Sequence, residues 1–187
     1  VGRLAPEKNQ RVLIDALSGL RKQGISAHLL LVGEGGERGV LEAHAERMGV
    51  KRHVTFAGVQ QDVRTLLSIM DVFVLPSTRV ETFSNAALEA MAMGLPVVLS
   101  RIGGADEMIR NGIDGYTLGV DELSASLVPL LVSLQADERS RALAEELFAA
   151  GADVITLGDH VWGQKELEPT IAGEKRLLRP LNFPAGA

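Results

Sequence analysis

Six short apolar runs recur along the chain, and their spacing constrains the fold more than any other feature. They are Val1–Leu4, His28–Val32, Val54–Phe56, Val72–Leu75, Val97–Ser100 and Tyr116–Leu118. Their starts lie about 18–28 residues apart, too far for hairpins and right for strand–helix–strand crossovers. The stretches between them carry helical periodicity. Val12, Leu13, Ala16, Leu17 and Leu20 share one face of a helix that Gly24 stops, and Val40, Leu41, Ala45 and Met48 share another before Gly49. Val63, Leu66, Leu67 and Met70 form a third stripe, and Ala87, Leu88 and Met91 a fourth. The expected fold is α/β, a doubly wound, Rossmann-like parallel sheet covered on both faces. Ligands of such a sheet bind beyond the carboxyl ends of its strands. The loops to examine are therefore Arg3–Lys8, Gly33–Gly36, Ala57–Gly58, Ser77–Asn85 and Ile102–Gly104.

Composition narrows the function classes. With 187 residues the chain is one ordinary domain plus a remainder, and 46% hydrophobic residues suffice for a core. Twenty glycines and only seven aromatic residues (five Phe, one Tyr, one Trp) fit an aliphatic α/β core with many tight turns. A net charge of −5 argues against nucleic acid, whose binders need a basic face. No apolar run approaches the length of a bilayer span. The lack of cysteine removes disulfides and thiolate metal sites and fits a cytoplasmic protein. Opening at Val1, inside a strand pattern and without an initiator methionine, the chain reads as an excised piece.

Two segments carry the chemistry. In Val1-Gly2-Arg3-Leu4-Ala5-Pro6-Glu7-Lys8-Asn9, Arg3 and Lys8 flank a tight turn and could converge on one anion. The bland alternative is two solvated cations beside a helix start. In Glu81-Thr82-Phe83-Ser84-Asn85-Ala86-Ala87-Leu88-Glu89, Ser84 or Asn85 is a natural N-cap that leaves free backbone N–H groups aimed into the crevice. A diphosphate there gains those donors and the positive end of the helix dipole. Glu89, just over one turn in, can accept from the two vicinal hydroxyls of a ribose, while Glu81 faces whatever hangs from the distal phosphate. An amphipathic helix with Glu89 on its wet face is the competing reading.

Taken together, VGRLAPEKN, LLLVGEGGE, VTFAG, DVFVLPS, ETFSNAALEAMAMGLPVV, IGGADEMI and NGIDGYTL stand in one order over residues 1 to about 140. This set resembles the C-terminal, nucleotide-sugar-binding domain of the retaining glycosyltransferase family of GT-B fold, which includes sucrose synthases and bacterial mannosyltransferases. The resemblance implies that Arg3 and Lys8 bind the donor diphosphate and stabilise its departure, and that Glu81 contacts the donor sugar. It implies that Ser84 and Asn85 offer backbone donors to the phosphates and Glu89 holds the ribose. Gly58 and Val59 would line the base pocket, with Gly2, Gly33 and Phe83 completing the donor site. No metal and no cofactor are needed. Thr82 and Ser84 stand where glycine is common, which leaves the donor sugar open. The acceptor site and a histidine near the reacting carbon belong to an N-terminal domain outside this sequence, and His28, His44 and His53 are badly placed to replace it.

From about Leu143 the pattern stops. Residues Ala149–Trp162 and Leu177–Pro184 resemble an internal piece of a bacterial calcineurin-like metallophosphoesterase of the cyclic-nucleotide phosphodiesterase type. Asp159 replaces the asparagine of the implied Gly-Asn-His motif, and the other ligands of a dinuclear centre come from segments this chain lacks, so Gly158-Asp159-His160 is read as a metal-free turn. The expected organisation is a donor-binding domain over 1–142 and a foreign segment over 143–187 that is not an independent domain, with the seam between Asp137 and Ala150. The apolar run Val154–Leu157 is expected to pair with the Tyr116–Leu118 edge of a sheet ordered 3-2-1-4-5-6, or to join a second copy in a homodimer. Binding of a nucleotide-diphospho-sugar, without transfer in the absence of an acceptor half, is the leading expectation. A recombined chain with no retained activity and a metallophosphoesterase fragment are the alternatives. Base, sugar and acceptor are not legible.

Overall fold

In a computed structural model of the chain, residues 1–79, 81, 83–113 and 115–135 are described, together with the backbone of Ile155–Thr156 and Leu177–Leu178. The chain divides into two compact units, Val1–Val132 and Ser133–Ala187.

The first unit alternates strands and helices: α1 (Arg11–Lys22), β1 (Leu29–Leu31), α2 (Arg38–Arg47), β2 (Val54–Phe56), α3 (Arg64–Leu67), β3 (Phe73–Leu75), α4 (Asn85–Ala92), β4 (Val97–Ser100), α5 (Ala105–Met108), β5 (Tyr116–Leu118) and the start of α6 (Leu123–Gln135). All its strand pairs are parallel, as the spacing requires. β1 pairs with β2, and β3, β4 and β5 follow one another in that order. This is an α/β fold with parallel strands, as expected.

Val1–Leu4 differs from the expectation in forming no regular strand. It nevertheless lies along the continuation of β1, with Gly2 N–H donating to Val32 O (2.8 Å) and Leu4 N–H to Glu34 O (2.9 Å). The backbone there is too irregular for a ladder, since Gly2 and Gly33 both have positive φ (146° and 131°). Val1 packs against the core around β3 and β4, so the segment joins the two strand groups. The order 3-2-1 on one side and 4-5-6 on the other is thus visible in the hydrogen bonds.

β4 is buried throughout, which explains its unbroken Val-Val-Leu run. Its Val97 and Leu99 share one core cluster with Leu67, Phe73, Leu75, Ala87 and Ala90. α1 buries every residue of its predicted stripe. Gly19 of α1 sits against Val128, where a Cβ would lie 3.1 Å from Cγ2, so α1 and α6 pack closely. Two stripes were read too widely. Val40 is 52% exposed, because α2 turns Leu41, His44 and Ala45 inward instead. Leu88 is 41% exposed, because the small side chains of Ala87 and Ala90 let α4 lie close on the sheet along a narrow line.

In the second unit, β6 (Ile155–Thr156) pairs in parallel with β7 (Leu177–Leu178) as a separate two-stranded sheet. The expected pairing of this run with the Tyr116–Leu118 edge is therefore corrected: its backbone groups find a partner further along the same tail. Gly158-Asp159-His160 and Trp162 lie outside the described residues.

Candidate functional site

The loops beyond the strand ends meet as the sheet topology predicts, beginning with the first. Pro6–Lys8 forms a 3-10 turn closed by Asn9 in the left-handed region (φ 50°). Pro fixes the first position of that turn, and Asn tolerates the last. Gln10, buried, donates from Nε2 to Arg3 O at 2.8 Å and holds the turn down. Thr78 N–H donates to Glu7 O at 2.8 Å, strapping this loop to the one that follows β3.

Glycine is required where the second loop approaches the first. A Cβ on Gly33 would lie 2.0 Å from Gly2 O, and one on Gly35 would lie 2.1 Å from Leu4 O. Gly33 N–H donates to Gly58 O at 2.8 Å, which places the expected base-side residue Gly58 (φ 68°) at the same end. Arg38 pairs with Glu34 and Glu42 and lies 5.5 Å over the Phe56 ring, holding the loop to the start of α2. Val59 is 73% exposed and Phe83 51% exposed, so both are surface groups.

The centre of the site is Glu81. Lys8 Nζ donates to its Oε1, and Ser77 Oγ donates to the same oxygen at 2.7 Å. The Lys8 and Glu81 side chains are only 20% and 17% exposed, and Ser77 is fully buried. A half-buried ion pair with a third partner holds its geometry better than an exposed one. Ser77, Glu81, Ser84 and Ser100 border a small open hollow that Leu75 and Leu99 also line.

Ser84 is the N-cap of α4, extended (φ −84°, ψ 108°) and accepting from Ala87 N–H at 3.2 Å. Asn85 opens the helix, so the first-turn N–H groups point out of its N-terminus as the sequence suggested. Glu89 is exposed on α4, within electrostatic reach of the Val1 amino group, as is Lys8.

The two cations do not face one another. Arg3, 69% exposed at its side chain, pairs with Glu7, while Lys8 turns to Glu81. The amide of Glu7 itself and then the Arg3 guanidinium hold the Glu7 carboxyl below the usual carboxylate range. Each cation pairs with a different carboxylate. Lys8 and Glu81 are thus brought into contact, with Ser84 lining the same hollow as Glu81, while Arg3 pairs with Glu7 instead. Ser77 and Gln10 were missed by sequence reasoning. A serine directly after an apolar strand was the one available signal for Ser77.

The histidines are engaged elsewhere. His44 Nε2 lies 2.6 Å from Asp15 Oδ1 between α1 and α2, and His28 Nε2 lies 2.8 Å from Thr55 Oγ1. Among the described residues no group of three or more His, Asp or Glu could hold a metal, and no helix is long and apolar enough to cross a membrane.

Known proteins resemble this chain in sequence and fold. The family described as "Glycosyl transferases group 1" matches residues 1–137, and the one described as "YmdB-like protein" matches residues 139–187. The chain is 37% identical over 122 residues to the lipopolysaccharide core biosynthesis glycosyltransferase LpsE of Rhizobium meliloti, covering 65% of this chain and 34% of that protein. It is 33% identical over 167 residues to the GDP-mannose-dependent alpha-(1-6)-phosphatidylinositol monomannoside mannosyltransferase of Mycobacterium tuberculosis, covering 83% of this chain and 42% of that protein. It therefore spans well under half the length of these relatives. Among solved structures, HepE of Anabaena in complex with UDP-glucose superposes with a TM-score of 0.67 at 32% identity, covering 74% of this chain and 38% of that one. The chain belongs to the group 1 glycosyltransferase family, and its parallel α/β unit is the Rossmann-like half of the GT-B fold.

Proposed function

We propose that residues 1–142 hold a nucleotide-diphospho-sugar donor in the crevice between Lys8, Glu81 and the N-terminus of α4. The observation that carries this reading is the cluster of Lys8, Glu81 and Ser77 beside the Ser84 cap. A cation, a carboxylate and the uncapped backbone donors of Asn85 and Ala86 match an anion joined to a polyol better than either alone. The diphosphate draws Lys8 and Arg3 from their carboxylates and takes the first-turn N–H groups of α4. Glu81, relieved of Lys8, accepts from sugar hydroxyls, and Glu89 accepts from the ribose. Gly58 and Val59 border the base, with Gly2, Gly33 and Phe83 around the rest of the donor. The same cations then offset the charge that develops on the departing nucleoside diphosphate. HepE, crystallised with UDP-glucose, and the GDP-mannose-dependent relative support a donor of this class.

These 187 residues alone transfer no sugar, because catalysis needs donor and acceptor in one geometry and the acceptor groups named by the resemblance lie outside this sequence. Titration calorimetry of Lys8→Ala tests the assignment. Affinity for a nucleoside diphosphate should fall about tenfold, while affinity for the bare nucleoside should be unchanged. An equal loss for both would remove Lys8 from the phosphate.

The second reading, a chain recombined from two sources, is favoured by the two family matches that meet between residues 137 and 139. On this reading the segment from 143 is a phosphoesterase-derived passenger. Metal analysis and a chromogenic phosphodiester test it, and bound metal with hydrolysis would overturn the passenger reading.

A further inference from the structure

Among the described residues, Ser77 is the one fully buried polar side chain that hydrogen-bonds to Glu81. It ends the run Phe73–Leu75 and Pro76, where a valine or alanine would pack as well. Its Oγ donates to Glu81 Oε1 at 2.7 Å, the oxygen that Lys8 also holds. Both grips fall on one carboxylate oxygen, and among the described residues none is seen to bond to Oε2.

We infer that Ser77 is a positioning residue that keeps Glu81 aimed at the donor's sugar once the diphosphate has taken Lys8 away. This rests on the proposed donor-binding function. Glu81 has two partners, Lys8 and Ser77. A diphosphate competes for Lys8 with more charge than a carboxylate carries, so in the loaded site the neutral Ser77 hydroxyl is the grip that remains. A buried hydroxyl suits that task because no anionic ligand draws it off and its rotamer is fixed by packing. The next residue is tied down as well, since Thr78 N–H donates to Glu7 O at 2.8 Å, so the donor to Glu81 sits on a fixed loop.

The inference separates two affinities that a packing role would move together. The full chain and its Ser77→Ala and Ser77→Cys variants are titrated with UDP and UDP-glucose and with GDP and GDP-mannose, and the pair that wild type binds is followed. Ser77→Cys keeps the volume and has only a weak donor. For both variants the nucleoside diphosphate should bind within about twofold of wild type, whereas the nucleotide sugar should weaken about 5- to 20-fold. A variant that loses both affinities equally, or neither, overturns the positioning role and leaves donor binding standing. Full recovery in Ser77→Cys of what Ser77→Ala loses shows that volume mattered and also overturns it. A wild type that binds none of the four ligands defeats the donor-binding reading, and this inference with it. Should Ser77→Ala not fold, Ser77→Cys carries the same comparison.

Discussion

Replacing Gly33 with alanine tests whether the first loop is seated by the close approach that the site needs. Gly33 has φ +131°, and a Cβ there would lie 2.0 Å from Gly2 O and 2.9 Å from Gly2 C. The two backbones must separate by about 1.4 Å to reach ordinary contact, because close-packed atoms on both sides leave little to yield. That separation breaks or stretches the bonds from Gly2 N–H to Val32 O (2.8 Å) and from Leu4 N–H to Glu34 O (2.9 Å). Two backbone hydrogen bonds contribute about 1 kcal/mol each, and a non-glycine residue in this conformation costs about 1–3 kcal/mol, giving a loss of about 3–5 kcal/mol. Gly36→Ala is the matched control, since a Cβ there meets nothing within 4 Å. It should change stability by less than about 0.5 kcal/mol. Urea denaturation followed by circular dichroism gives both values. A Gly33→Ala chain within about 1 kcal/mol of wild type, or no worse than Gly36→Ala, would refute the steric argument.

Three further outcomes follow from named contacts. Ser84→Ala removes the cap of an eight-residue helix and should cost about 1 kcal/mol in a melt, with weaker nucleoside diphosphate binding; an unchanged melting temperature would detach the cap from stability. Glu89→Ala should weaken nucleoside diphosphate binding by about 1.5–3 kcal/mol in calorimetry, and equal affinity for wild type and variant sinks the ribose assignment. Asp62, held by the Arg64 side chain and then by its backbone N–H, titrates at about 2 instead of 3.8. A depressed carboxyl stabilises above its unfolded value and stops doing so as pH falls through about 2, so this small exposed contribution should disappear between those pH values. A carboxyl carbon shift with its midpoint near 3.8 would contradict that pairing.

Much of this was legible because it depends on periodicity. Strand spacing requires crossovers, crossovers require parallel strands, and the loops at one end follow from that topology. The glycines of Val32–Gly36 were visible as a loop, and the approach of Gly2 and Leu4 explains why side chains are excluded there. Exposure on the helices was less legible. Val40 and Leu88 match an apolar stripe but sit at its margin, and one turn of a few tens of degrees moves such a residue into solvent. Arg3 and Lys8 were correctly placed on one loop, yet their resting partners depend on which carboxylates lie across the crevice, and Glu81 is 73 positions from Lys8. Gln10 carries no sequence pattern, and Ser77 is marked only by its place at the start of the loop after an apolar strand. The tail strand was recognised as β-prone, but the partner of a short strand is set by tertiary geometry, and Leu177–Leu178 provides it.

The most direct test of donor binding is a thermal-shift panel on the full chain with uridine, guanosine and adenosine, each as nucleoside, monophosphate and diphosphate. A ligand that binds the folded chain alone stabilises it by about 2.7 kcal/mol at a hundred times its Kd. At least one diphosphate should raise the melting temperature, and more than its own monophosphate and nucleoside do, if Lys8, Arg3 and the α4 N-terminus recognise the second phosphate as proposed. No shift with any diphosphate at millimolar concentration, or equal shifts for nucleoside and diphosphate, would contradict it.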